Sequence, residues 1–188
     1  MKTKYKKILI PLFLISVISI GYIILVSLPK GNLQKKTSSI PKTGASYNDL
    51  TPGVSTIDDV QKTLGTPVKE TQNDAVTLLE YESSNPNFNN EFNLRSGVLY
   101  FVKQQVTESD KISITNINEK YGSYEYVLYG PLSTSSFNLY VYPNKGVAYV
   151  GNQYSGIVFE IWYFPPTTIE DFKTQYASDY TETLRPSQ

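Results

Sequence analysis

The sequence predicts an α+β protein: an antiparallel sheet with short helices on one face, preceded by an N-terminal transmembrane helix. Three observations predict it. Capped stretches with apolar residues at helical spacing alternate with runs rich in β-branched and aromatic residues. Clusters of Gly, Pro, Asn and Ser separate these runs. An uncharged apolar run of 21 residues, Ile8 to Leu28, stands near the start of the chain.

That run follows Lys2, Lys4, Lys6 and Lys7. At ~1.5 Å rise per residue a helix of this length spans the hydrocarbon core of a bilayer, about 30 Å. A cleavable signal peptide has a shorter apolar region and a small-residue cleavage site, and no such triplet follows here. No cysteine is present to carry a lipid. The reading is therefore a cytoplasmic tail over residues 1–7 and an uncleaved single-pass anchor over 8–28, with the body outside the cytoplasm. The alternative is a long signal peptide cut near Ser27. Residues 29–47 have almost no large apolar side chains and read as a flexible linker. Its Lys30, Lys35 and Lys36 suit anionic headgroups.

The body covers 48–183. In "STIDDVQKTLGTP", Ser55 is the expected N-cap with Asp58 at the capping-box position. Ile57, Val60 and Leu64 share one helical face. Gly65 is the expected left-handed C-cap, and Pro67 stops the helix. "VTLLEYES" and "EFNLRSGVLYFVKQQV" (Glu91 to Val106) then read as strands around the turn cluster Ser83 to Asn90. The order is helix, strand, strand. It recurs: "SITNINEKYG" places Ile114, Ile117 and Tyr121 on one face before Gly122, and "FNLYVYP", "GVAYV" and "SGIVFEIWYFPP" follow, with "NKG" as a hairpin turn. "RSGVLYFV" aligns with "YSGIVFEI" at an offset of 59, and Leu64-Gly65 with Tyr121-Gly122 at 57. These offsets suggest two tandem units, about 49–106 and 113–166. A last helix is expected over 167–180, capped by Thr167 with Glu170. Its echo of the first helix ("TTIEDF" against "STIDDV") is capping chemistry.

The composition excludes several functions. The chain has no cysteine and no histidine, so disulfides, thiol nucleophiles, Cys/His zinc sites and imidazole catalysis are absent. Neither a metal nor a cofactor is expected. Beyond residue 45, nine basic residues face seventeen acidic ones, a net charge of −8. Such a body repels nucleic acid. Same-face neighbours such as Glu80 and Glu82 do not form the facing carboxyl pair of a glycosidase, and helix capping accounts for Asp58. The expectation is a protein that is not an enzyme.

"LTPGVSTIDDVQKTLGTP…LLEYES" resembles the small α+β domain of bacterial outer-membrane assembly lipoproteins of the SmpA/OmlA (BamE) type. Leu50, Gly53, Ser55, Val60, Leu64, Gly65, Pro67 and Tyr81 carry the resemblance. The apparent tandem is similar to the layout of the β-lactamase inhibitor proteins. The resemblance implies a non-catalytic scaffold that binds other envelope proteins. No functional residue transfers, because the matches are turn and core positions.

Thirteen of the sixteen tyrosines lie in the body. Tyr124, Tyr126 and Tyr129 cluster in "YGSYEYVLYGP", with Tyr124 and Tyr126 on one strand parity. In "IVFEIWYF", alternation puts Ile157, Phe159, Ile161 and Tyr163 on the core face and Glu160 and Trp162 on an open face. Trp162, Tyr124, Tyr126 and Tyr129 are therefore the candidate binding residues. The expected function is a membrane-anchored, extracytoplasmic interaction module that recognises an envelope protein. The alternative is a cell-wall glycan binder that uses Tyr and Trp162 as stacking platforms.

Overall fold

The computed structural model describes residues 43–184. The expected anchor and most of the linker lie outside the described residues, within which no helix is long and apolar enough to cross a membrane. The end of the stretch read as linker packs onto the body. The Ala45 N–H donates to the Lys145 carbonyl at 2.7 Å, and the Tyr47 ring meets Phe92 and Tyr163 edge-on.

Eight antiparallel strands form one sheet, in the order β1-β2-β3-β4-β8-β7-β6-β5. The strands are β1 Lys69–Asn73, β2 Val76–Tyr81, β3 Asn90–Arg95, β4 Val98–Gln105, β5 Tyr126–Leu128, β6 Asn138–Tyr142, β7 Val147–Asn152 and β8 Ile157–Tyr163. The helices are α1 Ile57–Leu64, α2 Ile114–Tyr121 and α3 Ile169–Tyr176. Each half of the chain is thus a helix followed by a four-strand meander, not helix, strand, strand. The stretch Glu91 to Val106 is a hairpin, because Ser96 (φ 50°) and Gly97 (φ 78°) make a two-residue turn that needs two positive φ angles.

The strand pairings explain the two offsets. Paired residues Glu70 and Leu79 match Val127 and Tyr140, which are 57 and 61 positions later. Leu79 faces Phe92, and Tyr140 faces Tyr149, so the offset returns to 57 in β7. The hairpin before β8 is two residues longer than the one before β4, and the offset becomes 59. Even a β-bulge repeats. Tyr100 in β4 and Phe159 in β8, 59 apart, are each skipped by the register of the neighbouring strand. The halves join through β4 and β8, where Lys103 pairs with Trp162, its own counterpart 59 positions later. An approximate two-fold axis therefore passes through that pair.

Capping sits one residue later than expected in two helices. Thr56, not Ser55, caps α1, and Asp59 closes the box by accepting from the Thr56 N–H at 2.8 Å. Ser55 is buried and its Oγ accepts from the Thr51 N–H. Thr168, not Thr167, caps α3, which ends at Tyr176. Ser113 caps α2 with Asn116.

The helices do not share one face. α1 and α2 cover one face through Val60, Ile114 and Ile117, over Leu79, Phe92, Leu99, Tyr142, Tyr149 and Ile161. α3 covers the other through Ile169 and Phe172, over Leu139, Val141, Val150, Trp162 and Phe164. The sequence gives each helix an apolar stripe, but Pro165-Pro166 carries the chain past the sheet end so that α3 arrives on the opposite side.

Gly65 (φ 83°, ψ −150°) and Gly122 (φ 86°, ψ −164°) follow α1 and α2 in a conformation nearly closed to other residues, not in the left-handed helical one. A Cβ at either would meet nothing within 4 Å. Gly65→Ala and Gly122→Ala should each destabilise the fold by about 1–3 kcal/mol through backbone strain alone. Denaturant melts measure this, and unchanged midpoints would refute it.

Candidate functional site

Trp162 is 5% exposed. The bulge at Phe159 breaks the two-residue alternation, so Val158, Ile161 and Tyr163 face α1 and α2 while Phe159, Trp162 and Phe164 face α3. Glu160 does share the tryptophan's side, as its sequence parity requires, and its Oε2 accepts from Trp162 Nε1 at 2.7 Å. That side is closed. The indole packs against Phe101 (5.6 Å), Tyr180 (5.8 Å) and Phe172 (6.4 Å). The expected solvent-facing tryptophan is thus a core residue beneath α3.

The three tyrosine candidates do not converge. Tyr124, 37% exposed, precedes β5 and lies against Tyr140 at 4.8 Å, on the side of α2. Tyr126, 39% exposed, stands opposite Val141 on the α3 side, so the two do not share a face. Tyr129 is half-buried and exchanges backbone hydrogen bonds of 2.7 and 2.9 Å with Thr181.

Much of the remaining tyrosine is structural. Tyr140 and Tyr149 stack at 4.9 Å in the core. Their hydroxyls and those of their neighbours are served within the fold: Tyr149 accepts from Gln153 Nε2 (2.8 Å), Tyr142 donates to Asn118 Oδ1 (2.7 Å) and Tyr163 donates to Gln104 Oε1 (2.9 Å). Tyr81, the counterpart of Tyr142, donates to the Gly65 carbonyl, so a strand tyrosine ties down the end of each repeat's helix. Burial pushes the Tyr142 and Tyr180 phenols up to about 12, and Tyr149 and Tyr163 further still.

The exposed surface with the most order is elsewhere. On the α3 side of the sheet, one cross-strand row reads Lys69, Glu80, Glu91, Lys103, Trp162, Ala148, Val141, Tyr126. Its first half is charged and ion-paired: Lys69 meets Glu80 at 2.7 Å and Lys103 meets Glu91 at 3.5 Å. The Lys69 contact, then one from Asn89, holds the Glu80 carboxyl below the usual range. Beside this row lie Thr71, Leu78, Asn93 and Arg95, whose guanidinium sits 4.5 Å over the Tyr100 ring. The uniformly polar "KETQN" and the alternation of "NEFNLR" carry this surface in the sequence. Sequence reasoning did not single out Tyr154, 94% exposed on the β7–β8 turn.

Three shallow clefts of about 200–270 Å³ are smaller than usual small-molecule pockets, about 300–1,000 Å³. Among the described residues no three acidic groups converge as a metal site would require.

Fold and surface together define an α+β body built on one eight-stranded antiparallel sheet, open on part of one face. No protein-family model matches the chain, and no curated protein matches it. Among solved structures, a DUF4309 family protein (YjgB) from Bacillus subtilis matches at 16% identity, over 62% of this chain and 82% of that one, with a TM-score of 0.42. The expected SmpA/OmlA (BamE) resemblance is thereby corrected: the structural match is to a DUF4309 protein, and no family model of the expected kind matches. The reason is local. Gly53, Gly65 and Pro67 serve turns, and Leu50, Val60, Leu64 and Tyr81 pack the core, roles that any helix entering a hairpin must fill.

Trp162→Ala should destabilise the fold by about 3–5 kcal/mol, the scale of an aromatic core truncation. A variant of unchanged stability would place the indole at the surface. The buried phenols set a pH limit. Each has a folded pKa above its unfolded value of about 10, so the folded state holds protons that the unfolded state releases. Stability is full below about pH 10 and falls as pH rises toward 12. Circular dichroism and tyrosinate absorbance should therefore change together in a steep alkaline transition. Full ionisation with the fold intact would refute the burial.

Proposed function

We propose that this chain is a membrane-anchored, extracytoplasmic protein-interaction module of the cell envelope, non-catalytic, with a body of two tandem copies of one unit. The observation that carries the reading is the unequal finish of the sheet's α3 face. In the second half Trp162, Leu139, Val141, Ala148 and Val150 are buried, mostly under α3. Their counterparts in the first half are Lys103, Leu78, Glu80, Glu91 and Asn93, mostly polar, and α3 meets that half through Tyr176 on Phe101 and Tyr100. An ion-paired, hydrogen-bonding surface beside the exposed strand β1 favours a polar protein partner and orients it through charge.

The anchor rests on the apolar run Ile8 to Leu28, and the orientation on the lysines before it. The glycan reading loses its main platform with Trp162 in the core, and the exposed Tyr124, Tyr126 and Tyr154 stand on separate elements.

Photo-crosslinkers at Thr71 and Asn93 of the full chain in its own membrane should capture an envelope protein. The Glu80→Gln/Glu91→Gln variant should lower the yield about fivefold or more, the order of a loss of about 1 kcal/mol. Its far-ultraviolet circular dichroism should not change, since ion pairs open to solvent contribute little to stability. Crosslinks to wall polymer alone, or none to protein, would refute the reading.

A further inference from the structure

The sheet has two edges, and the internal repeat makes them counterparts: β1 borders the first half and β5 the second. Their backbones run in the same phase. The Val68 N–H donates to the Glu80 carbonyl at 2.9 Å, and the Glu125 N–H, 57 residues later, donates to the Val141 carbonyl, 61 residues after Glu80, at 3.0 Å. In the two-residue hairpin after β1, the closing pair Asn73 and Val76 exchanges both backbone bonds. Alternation then turns the N–H and C=O groups of Lys69, Thr71 and Asn73 toward β2, and those of Glu70 and Gln72 out of the sheet.

The two edges are finished differently. Tyr129 is the counterpart of Gln72 at the offset of 57. It donates its N–H to the Thr181 carbonyl at 2.7 Å and accepts from the Thr181 N–H at 2.9 Å, an antiparallel bridge. The C-terminal segment thus adds itself to the second edge. At the first edge every residue of β1 is exposed. Among the described residues, neither Glu70 nor Gln72 bonds its backbone to a segment outside the β1–β2 pair.

We propose that β1 receives an extended segment of the protein partner as an added antiparallel strand, bonded through the outward backbone groups of Gln72 and Glu70, as Tyr129 is bonded to Thr181. The segment carries a basic residue opposite Glu70. That carboxylate makes no ion pair among the described residues, whereas Lys69 beside it is held by Glu80. Opposite charges directly across an antiparallel pair stabilise it. A second copy of this chain is a poor occupant. Each antiparallel register that aligns the outward groups sets Glu70 opposite or diagonal to Glu70 or Asp74 of the mate, between two bodies of net charge −8. The assignment rests on the interaction-module reading for its partner, but the edge is tested separately.

In the test, the full chain in its own membrane carries a photo-crosslinker in place of the Gln72 side chain, which keeps the backbone intact. It should capture an envelope protein through a segment that contains Lys or Arg. With the crosslinker moved to Thr71, Gln72→Pro should cut the yield about tenfold or more, the factor of about 1.4 kcal/mol. Proline at this edge position removes only an outward N–H, so thermal stability should hold. Gln72→Ala keeps the N–H and should capture as the parent does. Glu70→Lys, a change at an exposed side chain, should lower the yield about threefold or more. A Gln72→Pro chain that melts earlier leaves the decision to Glu70→Lys. Capture undiminished by either substitution, a crosslink only to a second copy, or no protein crosslink at Gln72 overturns the strand addition. If crosslinks at Asn93 persist in that case, the edge assignment alone has failed. Capture at Gln72 that needs its N–H, without any at Asn93, sustains the edge and defeats the half-face reading.

Discussion

The pairing of β4 with β8 is the contact on which the rest of the structure depends. Each half of the body is a helix with a four-strand meander, and each alone would expose a long apolar edge strand. Joining them through Val102–Tyr163, Lys103–Trp162 and Gln104–Ile161 removes both edges at once. It also brings the two half-cores into one. Val102 and Ile161 lie in the same apolar cluster as Val60 of α1 and Ile117 of α2. What remains outside are β1, short and polar, and β5, three residues long, whose end is met by Thr181. Short and charged edges resist unwanted sheet extension.

The near-symmetry of that junction makes its departures informative. Lys103 and Trp162 are counterparts and neighbours, yet one is a cation and the other an indole. The difference spreads along the whole row. The second half continues as Ala148 and Val141, and the first as Glu91 and Glu80. A helix buries itself on apolar side chains, so α3 lies over the second half and reaches the first only at Phe101 and Tyr100 of β4, through Tyr176. One-sided coverage follows from a handful of side chains, and it leaves a polar strip available for recognition. On the opposite face the asymmetry has another source. Tyr47 enters from before the first repeat, and the second repeat is preceded only by β4 and a turn.

The helices were legible because capping and the i, i+3, i+7 stripe are local. Ile57, Val60 and Leu64 do pack together against the core, as do Ile114 and Ile117. The cap positions slipped by one because "STID" and "TTIE" each offer two adjacent oxygen-bearing side chains, and only the backbone direction chooses Thr56 and Thr168. The offsets of 57 and 59 were visible as well. The strands were harder. β1 is "KETQN", with no apolar residue to announce it, and "LRSGVL" hides a two-residue turn inside an apolar run. The binding candidates fared worst: alternation placed Trp162 on the side of Glu160 correctly, but that side is closed by α3 and Tyr180, which arrive from later in the chain.

The sequence by itself determined the class, the three short helices and the lack of thiol and imidazole chemistry. These depend on residue type and on spacing within a few turns or strands of chain. Tertiary structure decided which face each helix covers, that Trp162 lies in the core, and that Lys69, Glu80, Glu91 and Lys103 form one charged row, half-buried except at Lys69. Those outcomes depend on bulges, on the β4–β8 pairing and on where the chain goes after Pro166. Burial is set by what arrives from far along the sequence, and local alternation carries no record of it.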